Sequence, residues 1–177
     1  MSDSTCTENG GLVTFDIKVK GNTIPDSIVI QSIYIEKRVN KIATATFVVI
    51  DGEASTGKFP ASSSSNFVPG NTVSIEAGYN SLNKLLFKGI VTKQSIRIDE
   101  EKGPVLEVEC RDEAIKMIVG RKSATYSKKK DSDIINSIIK KYSGLSSKIT
   151  ATTIVWPEQV QYYATDWDYS YTFEKMY

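Results

Sequence analysis

A chain of 177 residues with a net charge of +1 has room for one domain plus an appendage, and carries no global field that would draw it to nucleic acid or an acidic membrane surface. Its composition, 40% hydrophobic and 24% charged, is that of an ordinary globular protein, and no apolar run approaches the roughly 20 residues that span a bilayer. The complete absence of histidine removes the commonest general base and the commonest metal ligand; two cysteines are too few for a disulfide scaffold.

Residues 1–11 are polar, lack the basic and apolar regions of a signal peptide, and read as a flexible lead-in, so residence in the cytoplasm is expected. Residues 12–20 alternate Val13, Phe15, Ile17 and Val19 against polar neighbours, a half-buried strand. Residues 28–37 form a second strand, apolar on both faces and therefore expected to be covered on both. A third covers 43–50. From Gly52 to Gly70 the pattern lapses into a long loop whose Phe59, Phe67 and Val68 are expected to pack on the body or on a partner. Residues 72–77 resume as a strand, 78–83 turn, and 85–99 make a strand of about fifteen residues, well beyond the usual five or six. Within it Phe87, Gly89 and Val91 share one face. A glycine inside a strand marks a bulge, a bend or a close approach, and a long bent strand suits the corner of a small barrel.

Residues 100–104 are a polar turn and 105–111 the returning strand, on which Cys110 follows Leu106 and Val108 as a buried free thiol. Residues 114–118 fit either a helical turn or one more strand. Residues 131–142 form the clearest helix, with Ile134, Ile135, Ile138, Ile139 and Tyr142 on one face, Asp131 as N-cap and Gly144 as terminator. A short strand at 149–155 ends at Trp156-Pro157, and Thr165 or Asp166 opens a final helix. The aromatic residues Trp167, Tyr169, Tyr171, Phe173 and Tyr177 exceed what one helical face can bury on one barrel, so that segment is expected to order only against a missing neighbour. The expected class is mainly β with α (α+β): a small bent-strand β-barrel, one clear helix and a second, incomplete helical segment. The expected division is a lead-in at 1–11, the barrel at 12–125 with its loop at 52–70, and a helical and mixed part at 126–177.

Few constellations could carry chemistry. Gly52-Glu53-Ala54-Ser55-Thr56-Gly57-Lys58 has the spacing of a phosphate-binding loop, but Phe59 and Pro60 follow where a magnesium-binding hydroxyl and a helix are required, so nucleotide binding is not expected. The run from Ser62 to Ser65 has no base to activate it. The carboxylates Glu100, Glu101, Glu107 and Glu109 are scattered over a turn and a strand face. The basic group Arg121, Lys122, Lys128, Lys129 and Lys130 flanks Tyr126, and reads as a solvated face, a contact for an acidic partner or, less well because charge is otherwise balanced, a nucleic-acid site. No catalytic, cofactor-binding or metal-binding residue is assigned, and no enzyme is expected.

Several stretches together resemble the VgrG spike family. They are Leu86-Phe87-Lys88-Gly89-Ile90-Val91, Arg111-Asp112 with Lys116 and Gly120-Arg121-Lys122, and the helix from Asp131. Gln161-Tyr162-Tyr163-Ala164-Thr165-Asp166-Trp167-Asp168-Tyr169 is the most specific; Asp51-Gly52 and Phe67-Val68-Pro69-Gly70-Asn71 add to it. The resemblance implies the hub of a type VI secretion or phage tail-like contractile injection machine, joining tube to spike. It implies a homotrimer that meets a hexameric tube protein and baseplate proteins, with effector cargo, no nucleic acid and no membrane span. It also implies assembly in the cytoplasm into an apparatus that can carry the protein out. The family's helix after Asp168 carries an arginine where this sequence reads Tyr169-Ser170-Tyr171-Thr172-Phe173, and no second barrel or needle follows. A fragment, a truncated product or a short paralogue would each account for that. The alternative reading is a stand-alone β-barrel binding module for nucleic acid or carbohydrate.

Overall fold

The computed structural model describes residues 12–52, 59–99 and 103–174. The chain divides into two compact units: one built on the residues up to Glu36 together with Thr44–Cys110, the other on Lys37–Ala43 together with the residues from Arg111 onward.

The first unit is one antiparallel-rich sheet built from β1 (Val13–Val19), β2 (Asn22–Thr23), β3 (Ile30–Glu36), β4 (Thr44–Ile50), β5 (Thr72–Tyr79), β6 (Leu82–Asp99) and β7 (Gly103–Asp112), in the order β2-β1-β5-β6-β7-β4-β3. Alternation decides what it buries. Ile17 and Val19 of β1, Ala45, Phe47 and Val49 of β4, Val73 and Ile75 of β5, and Phe87 and Val91 of β6 all turn inward, while the even-numbered residues between them are more exposed. Gly89 is buried between Phe87 and Val91, on the face the sequence assigns to it.

The mainly β, α+β class is observed, but the sheet is not closed into a barrel. β2 and β3 are its two edges. That position corrects the reading of β3 as a strand covered on both faces: Tyr34 is 63% exposed and Val29, just before the strand, 53%. The irregularity in β6 also lies elsewhere than expected. Gly89 stays in register opposite Val73, and the register slips between the pairs Ile75–Phe87 and Glu76–Leu85, leaving Leu86 as the extra residue. The turn before β6 is tighter than the sequence suggests. Asn80 and Ser81 both take positive φ, 53° and 64°, the geometry of a two-residue hairpin turn that follows the twist of its strands. Gly78 therefore belongs to the strand, where a Cβ would run into the backbone carbonyl of Leu82.

The loop before β5 is fastened at both ends. Both oxygens of the buried Asp51 accept backbone N–H groups, from Ala61 and Ser62, each at 2.8 Å. Phe67 is fully buried and meets Phe47 edge-on, 5.4 Å between ring centroids. Packing on the body is thus borne out for Phe67; Val68 stays 43% exposed.

The second unit holds a 3-10 helix (Glu113–Ile118), β8 (Lys122–Lys130), α1 (Asp131–Ile139), β9 (Val155–Ala164) and α2 (Asp166–Glu174). The undecided stretch 114–118 is helical because the Asp112 carboxylate accepts the N–H of Ala114 at 2.9 Å and caps it. α1 is shorter than the apolar period suggests, and Asp131 is its first residue and not its cap. The cap position is Lys130, which makes no side-chain capping bond. β8 has no counterpart in the sequence reading. β9 lies later than the strand expected at 149–155 and runs through Trp156-Pro157; β8 and β9 pair antiparallel as a two-stranded ribbon. Met117, Tyr126, Ile134, Ile138, Tyr169 and Phe173 form the core of this unit, with Trp167 and Tyr142 packed against it. The final helix is therefore seated in its own unit, contrary to the expectation that it needs a missing neighbour; Tyr177 lies outside the described residues.

Candidate functional site

The most specific sequence motif, Gln161 to Tyr169, builds a buried polar cluster. The Asp166 carboxylate is fully buried at the start of α2. Its Oδ2 accepts from Lys122 Nζ at 2.7 Å and from the Tyr142 hydroxyl at 2.5 Å; its Oδ1 accepts from Gln161 Nε2 at 2.9 Å. Lys122 comes from the first residue of β8, Tyr142 from just past α1, and Gln161 from β9, so one carboxylate ties four parts of the unit together. Gln161 is itself buried and also donates to the carbonyl of Ala164 at 3.0 Å, while its Oε1 accepts from the Tyr126 hydroxyl at 3.4 Å. Beside this, Thr165 and Asp168 make a reciprocal cap on α2: the N–H of Asp168 reaches Thr165 Oγ1 at 3.0 Å, and that hydroxyl donates to Asp168 Oδ2 at 2.7 Å. Tyr169 stacks on Tyr126 at 5.9 Å and meets Phe173 edge-on at 5.0 Å.

The electrostatics follow from those contacts. Burial pushes the Asp166 carboxyl up, but the bonds from Lys122, Tyr142 and Gln161 outweigh it and hold the group below its ordinary value. The bonds to Asp166 and Tyr142 raise Lys122, so it stays charged, and burial raises Tyr142. Burial pushes the Tyr169 hydroxyl up to about 12. A carboxylate whose two oxygens are occupied by three donors is poorly placed to accept a substrate proton. The cluster's chemistry is that of a fastener.

The other candidates separate. The apparent phosphate-binding loop from Glu53 to Lys58 lies outside the described residues, as do Cys6, Glu100 and Glu101. Of the serine run, Ser62 contributes its N–H to Asp51 and Ser64 Oγ donates to the Ala61 carbonyl at 2.7 Å, so these residues shape a turn. Glu107 and Glu109 form surface pairs with Arg97 at 3.1 Å and Lys93 at 2.8 Å. In the basic group, Lys122 serves Asp166, Lys129 lies over the Tyr126 ring and Arg121 over the Tyr163 ring. Among the described residues no group of three or more His, Cys, Asp or Glu side chains could hold a metal ion, and no helix is long and apolar enough to cross a membrane.

Cys110 is 1% exposed, and burial pushes its thiol up to about 12. In a Cys6→Ser background, Cys110 is expected to resist iodoacetamide at pH 8 and to label only when the first unit unfolds. Rapid labelling of the native protein, read by mass spectrometry, would contradict the buried placement.

A family model described as the Alg8 N-terminal domain matches residues 9–176. The chain belongs to that family. No curated protein matches the sequence. Among solved structures, the chain is similar to the 43 kDa tail protein of prophage MuSo2 from Shewanella oneidensis: 10% identity, TM-score 0.65, covering 93% of this chain and 48% of that one. It is similar to the E. coli c3393 protein, described as a type VI secretion component that resembles the T4 tail proteins gp27 and gp5: 12% identity, TM-score 0.61, covering 87% and 41%. It is also similar to a chain of the Francisella PdpA–VgrG complex, at 14% identity and TM-score 0.54, covering 93% and 25%. This member of the Alg8 N-terminal domain family thus has a tail-protein fold and spans less than half the length of each of those chains. The sequence resemblance to spike proteins holds at the level of fold, and the Gln161–Asp166 motif is part of what builds that fold.

Proposed function

We propose that this chain is a non-enzymatic hub component of a contractile injection apparatus, of type VI secretion or phage tail-like kind, that helps join tube to spike. The observation that carries the reading is the likeness to tail and type VI secretion proteins over 87% and 93% of the chain. The character of its most specific motif agrees with it: Gln161, Asp166 and Thr165 hold the fold together and leave no open acid–base pair. In this role the chain works as a homotrimer, contacts a hexameric tube protein and baseplate proteins, carries effector cargo, and is assembled in the cytoplasm before leaving with the particle.

The test is sedimentation. Cells producing the tagged protein from its own locus are lysed and tail-like particles are pelleted through a density gradient. The tag is expected to travel with tube and sheath proteins at a fixed stoichiometry. A tag that stays wholly in the soluble fraction while particles pellet normally would overturn the proposal and favour a free binding module.

A further inference from the structure

The outer side of the β8–β9 ribbon carries a second constellation, separate from the Asp166 cluster. Between the pairs Lys122–Ala164 and Ala124–Gln161, one residue of β8, Ser123, faces two of β9, Tyr162 and Tyr163. This is a β-bulge, and Tyr163 pivots through it at a φ of 43°, a left-handed conformation that is rare for a bulky aromatic residue. The N–H of Tyr163 donates to Ser123 Oγ at 3.1 Å, which fixes the pivot. In a regular strand one of two consecutive side chains would turn inward. Here neither does: Tyr162 is 84% exposed and Tyr163 64%. Strain of this kind persists where the surrounding structure enforces it, and bulges re-aim side chains.

Arg121 lies over the Tyr163 ring with its guanidinium carbon 5.3 Å from the ring centroid. Unlike Lys122, it has no carboxylate partner among the described residues, so stacking holds an uncompensated fork of donors at the surface. Val160, on the same face of β9 as Tyr162, adds exposed apolar area. Tyrosine and arginine around an aliphatic contact are the residue types that dominate protein interface cores.

We propose that Val160, Tyr162, Tyr163 and Arg121 form a docking surface for a protein partner that presents a carboxylate beside an apolar or aromatic side chain. The carboxylate takes the free edge of Arg121, and the apolar group lies against Tyr162. Charge complementarity selects an acidic partner: the patch presents Arg121, which has no carboxylate partner among the described residues, and the ribbon's one acidic side chain, Glu158, stands opposite Ser127, toward the far end. A single nucleic-acid strand is disfavoured. Arg121 already covers the Tyr163 ring that a base would stack on, Lys122 is engaged by Asp166, and Lys128, Lys129 and Lys130 stand at the other end of the ribbon, which leaves no row of free cations beside the patch to follow a phosphate backbone. This surface stands on its own geometry and does not depend on the proposed hub role.

The probe is a random copolymer of glutamate and tyrosine, with polyglutamate and a twenty-nucleotide oligothymidine for comparison, each titrated against the full chain by fluorescence anisotropy. The copolymer is expected to bind in preference to both. Tyr162→Ser and Arg121→Gln should each weaken it about tenfold, as truncation of an interface anchor does. Lys148→Ala, an exposed cation elsewhere in the second unit, should leave it unchanged, and all three variants should keep the parent's melting temperature. Equal binding by the parent and the Arg121→Gln and Tyr162→Ser variants would overturn the proposal. So would tighter binding of oligothymidine that these two substitutions abolish, or no copolymer binding at all.

Discussion

Replacing Asp166 with alanine is expected to destabilise the second unit by about 3 kcal/mol, because three hydrogen bonds to one buried carboxylate are lost and Gln161 and Tyr142 are left short of a partner. Both tryptophans of the chain, Trp156 and Trp167, lie in that unit, so their fluorescence in a urea titration follows it directly. The difference from the parent should depend on pH with a defined sign. Asp166 has a folded pKa below its unfolded value, so its contribution is complete above the ordinary carboxylate range and disappears as pH falls through the depressed folded value. Lys122 has a folded pKa above 10.5, so its part is complete below that value and disappears only as pH rises through the raised one. The gap between parent and variant should therefore be flat from about pH 5 to pH 9, closing below about pH 4 and narrowing above about pH 10.5. A loss under about 1 kcal/mol at pH 7 would contradict the fastener.

Phe67→Ala is expected to cost the first unit about 3–4 kcal/mol, since it removes a fully buried aromatic side chain and its edge-on contact with Phe47. The same change frees one anchor of the loop at 59–71, leaving the grip of Asp51 on Ala61 and Ser62 and the backbone bonds of Gly70 and Asn71 with Val91. Limited proteolysis should then cut within that loop before anywhere else in the described residues. Hydrogen exchange of the strand amides around Phe47 and Val73 reports the stability loss. Unchanged protection there, with no new cleavage, would mean that the loop does not depend on this side chain.

Much of the first unit is legible because its strands alternate cleanly. Ile17 and Val19, Val73 and Ile75, and Phe87 and Val91 are all buried in the phase their spacing predicts. What is not legible there is closure. No local pattern states that β3 ends the sheet, and its apolar residues on both faces suggest a cover that an edge strand lacks. In the second unit β8 escapes detection because only Tyr126 of its nine residues is buried, and its lysines read as solvated surface. β9 is hidden by Pro157, which a two-stranded ribbon accommodates and a central strand would not. The motif at Gln161–Asp166 is conspicuous in sequence, but its role is not. The partners that define it, Lys122 and Tyr142, stand 44 and 24 residues away from Asp166. Asp131 is misread as a cap for a simpler reason: the residue type suits the first turn as well as the cap, and only backbone geometry separates the two.

The proposed role as a hub component is tested most directly by locating the chain within an assembled particle. Cryo-electron microscopy of purified tail-like particles, with symmetry applied only after the tip has been aligned separately from the tube, would resolve a fold of this size. The account predicts density for the open seven-stranded sheet and the β8–β9 ribbon at the junction of tube and spike, repeated three times about the axis. Particles whose junction is fully built from other chains, with this fold absent or bound elsewhere in variable number, would contradict it.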